Sequence, residues 1–180
     1  ESIDPETWVA QLNEYLSQMS GAVFEHHGFL DKFMGDGIMA LWNAFGNQPD
    51  HANLAMRASL EMLRRLELLN GYWERHEQRT PFRIGIALHS GEAIVGNVGS
   101  DRRMQYTAIG DSVNTASRIE GMTKLHGLQF LASETAAARI SPDVASLTEI
   151  GETEVRGRAQ RVTIFGLTGE EPVIVDKSAQ

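Results

Sequence analysis

Apolar and polar positions follow two periods along this chain, and the switches between them mark out its elements. Trp8, Leu12, Tyr15, Leu16, Met19 and Val23 recur at the spacing of one helix face. Asp4-Pro5-Glu6 ahead of them supplies a capping side chain, a proline for the first turn and an acid for the positive helix end. A helix is therefore predicted to about His27, closed by Gly28. Phe29 to Met34 and Ile38 to Trp42 are short apolar runs around Gly35-Asp36-Gly37, the pattern of a hairpin. From Asp50 an amphipathic run sets Ala55, Ala58, Met62, Leu66 and Leu69 on one stripe and continues to about Glu77. Arg79-Thr80-Pro81 breaks it.

The next stretch changes period again. Arg83 to Leu88 is a β-branched apolar run that predicts a strand buried on both faces, and Ala93 to Val98 and Gln105 to Ile109 predict two more. Gly110-Asp111-Ser112 then gives a capping signal, with Asp111 as the N-cap of a helix whose Val113, Ala116 and Ile119 face inward. Asn114 and Arg118, four apart, share a different stripe and project together. An amide and a guanidinium so placed can orient a sugar and neutralise a phosphate. After Gly127, Leu128 to Ala132 predicts a strand, and Ser133-Glu134-Thr135 caps a short helix to about Ile140. Leu147 to Val155 and Arg161 to Leu167 predict strands of a hairpin around Arg156-Gly157-Arg158. This order implies an α+β fold, with helices packed on a mostly antiparallel sheet, and a ferredoxin-like core fits it. Residues 168–180 read as a polar tail.

Composition narrows the chemistry. A formal charge of −8 argues against a nucleic-acid partner, which asks for a basic stripe. With no cysteine there is neither a disulfide framework nor thiolate chemistry. No apolar run reaches the roughly 18 residues of a membrane span, and no signal peptide is visible, which fits a cytoplasmic setting. His89-Ser90 has no third partner for a hydrolytic triad, and GNVG is not a P-loop. His26-His27 and His51 lack metal-site spacing.

Four ordered blocks carry a resemblance. FLDKFMGDGIMALW, RIGIALHSGEAIVGNVG, YTAIGDSVNTASRIEG and EVRGRAQRVTIFGL together resemble the catalytic domain of class III nucleotidyl cyclases, most closely the bacterial adenylyl cyclases. The resemblance covers residues 5–167, so residues 1–167 are expected to form one catalytic domain. It implies a head-to-tail homodimer with two composite sites, turning a nucleoside triphosphate into its 3′,5′-cyclic monophosphate and pyrophosphate. It also implies two divalent cations, Mg²⁺ or Mn²⁺, which at about 3.5–4 Å apart can activate the ribose 3′-hydroxyl and clamp both oxygens of the displacement. Hard cations favour carboxylates, and Asp36 matches the second of the family's two metal aspartates. The first lies in a strand that precedes Asp4 in the family and is absent from this sequence. The chain is therefore expected to be part of a longer protein with regulatory domains.

Lys32 matches the family position that selects the base, where an ammonium suits the N1 acceptor of adenine and a glutamate suits guanine. Thr107 matches its partner position, so ATP is the expected substrate. Asn114 and Arg118 match the transition-state pair, with Arg118 placed to stabilise charge on the phosphate. Arg83, at the start of its strand, matches an arginine on the polyphosphate. Arg156 matches a position that is usually lysine and binds the terminal phosphates, with Arg158 as the alternative two residues on. Two other readings stand beside this one: a guanylyl cyclase, and an inactive cyclase-like module that dimerises or binds nucleotide.

Overall fold

The computed structural model describes residues 4–154 and 161–169, which fall into two compact units dividing between Phe82 and Arg83. The first begins with α1 (Pro5–Glu25), where the Asp4 carboxylate accepts from the Thr7 backbone N–H as the sequence predicts. Its buried stripe is Gln11, Tyr15, Met19, Ala22 and Val23. Gln11 replaces Leu12 at the centre because its Nε2 donates to the Thr80 carbonyl at 2.8 Å, a partner far along the chain. His27 turns the chain with φ of 57° and leads into β1 (Phe29–Met34) and β2 (Gly37–Leu41), an antiparallel hairpin. Helix α2 (His51–Tyr72) lays Ala52, Ala55, Met56, Ala58, Ser59 and Leu66 inward and runs into a π-helical turn over Trp73–Glu77. The fully buried Trp73 ring is tied down by its Nε1–H, which donates to Glu14 of α1 at 2.7 Å. Its ring meets Phe82 in a T-shaped contact, and Phe82 also contacts Trp8 and Tyr15.

The second unit holds β3 (Ile86–Leu88), β4 (Ile94–Ser100), β5 (Arg103–Ile109), α3 (Asp111–His126), β6 (Phe130–Ser133), α4 (Glu134–Ala137), β7 (Leu147–Glu154) and β8 (Arg161–Leu167). Among the described residues the strands form three sheets: β1-β2, β4-β5 and a four-stranded sheet in the order β3-β6-β8-β7. Every pair is antiparallel except β3 with β6, so the expected mostly antiparallel architecture holds. Strand β6 is flanked on both sides and all four of its residues are buried, the polar Ser133 among them. Strand β3 is shorter than predicted. Among the described residues its ladder pairs are Ile86, Ala87 and Leu88 against Phe130, Leu131 and Ala132, and residues 83–85 carry none. Of the three, Ile86 is buried and the other two are half-buried. Ile119 of α3 packs with Leu128, Leu131 and Ile164, each such burial stabilising the unit by roughly 1.5–3 kcal/mol.

Candidate active site

The β1-β2 hairpin carries the first group of expected residues. Met34 pairs with Gly37, leaving Gly35-Asp36 as a two-residue loop, and Gly35 has φ of 67°, a conformation that favours glycine. Asp36 is thereby held exposed at the tip. Behind it, the buried Tyr15 phenol is pushed up to about 12, first by burial and then by the negative charge of Asp36. Lys32 lies on β1 beside a bulge, its ammonium 3.3 Å from the Asp31 carboxylate. At the base of the hairpin, the Trp42 Nε1–H donates to the His26 carbonyl at 2.8 Å and its ring packs on Gly28.

The second unit presents the remainder on β5 and α3. Thr107 pairs with Gly96 across the β4-β5 hairpin and is buried. The chain then enters α3 through Gly110, whose φ is 141°. Gly110, and not Asp111, is the N-cap: Asp111 is already the first helical residue and no side chain caps this end. Glycine makes that early entry possible, and Ser112 donates to the Glu92 carbonyl at 2.7 Å. Thr115, Ile119 and Thr123 form the buried stripe of α3, which leaves Asn114 and Arg118 exposed together one turn apart, as their spacing predicts. Arg83 is exposed and precedes the strand it was expected to begin, because β3 starts at Ile86. Arg156 and Arg158 lie outside the described residues.

Other polar features resolve into structural roles. His89 Nδ1 meets Ser133 Oγ at 2.9 Å, but that oxygen also accepts from the Ala136 N–H and meets Thr135 Oγ1 at 3.0 Å. It caps α4. A surface concavity of about 480 Å³ against α1 and α2, lined by Arg64, Arg65 and Tyr72 among others, contains none of the expected site residues.

For a hard divalent cation, the exposed Asp36 carboxylate is a suitable ligand. Among the described residues no cluster of three His, Cys, Asp or Glu side chains is placed to enclose an ion.

Residues 1–169 match the family described as the adenylate and guanylate cyclase catalytic domain. The chain belongs to the class III nucleotidyl cyclases. Among curated relatives of this cyclase domain, adenylate cyclase 1 of Rhizobium meliloti is 38% identical over 169 residues, covering 94% of this chain and 25% of that protein. The adenylate cyclase of Anabaena cylindrica is 35% identical over 170 residues, covering 92% and 33%. The chain thus spans a quarter to a third of the length of these two relatives. Among solved structures, the adenylyl cyclase CyaB from P. aeruginosa superposes with a TM-score of 0.84 at 30% identity, covering 92% of this chain and 84% of that one. The guanylyl cyclase Cya2 gives 0.81 at 29%, covering 94% and 84%. No helix among the described residues is long and apolar enough to cross a membrane.

Proposed function

We propose that this cyclase domain converts ATP into 3′,5′-cyclic AMP and pyrophosphate at two sites shared across a head-to-tail homodimer. The observation that carries the reading is the family match over residues 1–169, which runs through every quoted block. Lys32 supports adenine over guanine, since an ammonium donates to the N1 acceptor and cannot accept from a guanine N–H. Thr107, on β5, is the companion at the base.

In the reaction the ribose 3′-oxygen attacks the α-phosphorus as the bond to the bridging β-phosphate oxygen breaks, the hydroxyl proton passing to water. Asn114 orients the ribose, and Arg118 faces the charge that gathers on the phosphate oxygens, a donor set in place before reaction and worth about 10²–10³ in rate. Their exposure on one stripe of α3 leaves both able to meet a nucleotide. Arg83, with Arg156 or Arg158, neutralises the polyphosphate, the arginine fork suiting phosphate oxygens. Divalent cations held at Asp36, Mg²⁺ or Mn²⁺, would lower the pKa of the hydroxyl and balance charge on both oxygens. Asp36 of one protomer completes the site formed by Lys32, Thr107, Asn114 and Arg118 of the other.

Mixing two inactive proteins tests this. Asp36→Ala and Asn114→Ala each damage both sites of their own homodimer, whereas a heterodimer gathers both lesions into one site and leaves the other intact. With free exchange, half the dimers are mixed and half their sites function, so about a quarter of the wild-type rate of cyclic AMP formation should return. No recovery in an exchanging mixture would overturn the shared site.

A further inference from the structure

Successive residues of a strand point to opposite faces, yet Asp31 and Lys32 form an ion pair of 3.3 Å. The register explains it. Leu30 faces Ala40 and Lys32 faces Met39, which are consecutive on β2, so Asp31 is an extra residue and β1 bulges there. A bulge re-aims a side chain, and this one tucks the Asp31 carboxylate beneath its neighbour. The Asp31 side chain has 0% exposure, while that of Lys32 keeps 31%.

We propose that Asp31 is a positioning residue that sets base selectivity, anchoring the Lys32 ammonium towards a purine with a ring acceptor and barring a carboxylate from position 32. This rests on the cyclase reading above. A lysine carries its charge on a flexible four-carbon stem and loses rotamer freedom when it docks. A fixed carboxylate beside it removes part of that loss from substrate binding. At 3.3 Å the pair is longer than a charge-assisted hydrogen bond of about 2.7–2.9 Å, so the ammonium N–H groups remain available to a ligand. A glutamate at position 32, suited to guanine, would set two carboxylates together with one of them wholly buried, and like charges at that range repel. The Asp31-Lys32 dipeptide, and not Lys32 alone, then decides the base.

The test measures kcat and KM for ATP and GTP, with Mn²⁺, on the full-length protein and four variants: Asp31→Asn, Asp31→Glu, Lys32→Glu and Asp31→Asn/Lys32→Glu. Asp31→Asn should raise KM for ATP about tenfold with kcat nearly retained, and lower the ATP-to-GTP ratio of kcat/KM by a similar factor. Asp31→Glu should recover part of the ratio. The double variant should turn over GTP several-fold faster than Lys32→Glu. A merely structural Asp31 predicts equal losses for both nucleotides and an unchanged ratio, which would overturn the proposal. So would a double variant no better with GTP than Lys32→Glu, a comparison that stands even if Asp31→Asn alone folds poorly. Wild-type protein yielding no cyclic product from either nucleotide overturns the cyclase reading and this proposal with it; wild-type activity with an unaltered variant ratio overturns this proposal alone.

Discussion

Alanine at Gly28 should loosen the hairpin that carries Lys32 and Asp36. A Cβ built there falls 2.6 Å from Trp42 Cζ2, 2.8 Å from Cε2 and 2.8 Å from Val23 Cγ1, closer than real Cβ atoms come to their neighbours. The indole cannot yield without cost, because its Nε1–H is held by the His26 carbonyl at 2.8 Å. Overpacking of this kind costs about 1–3 kcal/mol and a lost hydrogen bond about 1 more, so Gly28→Ala should lower the unfolding free energy by about 2–4 kcal/mol. Urea unfolding followed by tryptophan fluorescence and near-ultraviolet circular dichroism measures it. Trp42→Leu removes both crowded ring atoms, so in that background the cost of Gly28→Ala should fall to about half or less, a coupling that neighbours show and distant sites do not. A loss below about 0.5 kcal/mol, or the same loss in both backgrounds, would refute the packing account.

Two further predictions concern titration. Glu61 accepts from Arg64 Nε at 2.8 Å, Arg64 Nη2 at 2.7 Å and Arg65 Nε at 2.7 Å, and these guanidinium bonds hold its carboxyl at about 2 against an ordinary 4.5. Because its folded pKa is depressed, it contributes stability above pH 4.5 that is lost as pH falls towards 2. Surface screening reduces that contribution to about 1 kcal/mol or less. The stability gap between wild type and Glu61→Gln should therefore close between pH 5 and 2 in urea titrations. Of the three tyrosines, Tyr15 should titrate near 12 by ultraviolet absorbance. Asp36→Asn should lower that value only in part, because burial is the larger cause; with the folded pKa raised, stability is lost as pH climbs from 10 to 12.

What could be read in the sequence was what short-range chemistry decides. Asp4-Pro5 and Gly35-Asp36 set their helix start and their loop through local geometry, and the spacing of Asn114 and Arg118 placed them on one stripe whatever surrounds α3. Where a partner lay far along the chain, the pattern misled. Gln11 is buried because a carbonyl 69 residues away accepts from it, and β3 is short because, among the described residues, its ladder partner is the brief β6. The N-cap of α3 fell on Gly110 because the turn out of β5 takes a positive φ that only the backbone reveals. The bulge at Asp31 was hidden for a related reason: strict alternation assigns Asp31 and Lys32 to opposite faces, and only the pairing with β2 brings them together. The site residues were proposed from the family blocks and not from periodicity, since exposed side chains such as Asp36 leave no mark on a hydrophobic pattern.

The central claim is the reaction and its base. The full-length protein with Mn²⁺ and an equimolar mixture of ATP and GTP, its nucleotide products resolved by chromatography and its pyrophosphate quantified, tests both at once. The account predicts cyclic AMP as the main product, formed with equal pyrophosphate and abolished in Asp36→Ala. Cyclic GMP as the main product would contradict the Lys32–Thr107 assignment, and no cyclic nucleotide at all would contradict the catalytic account itself.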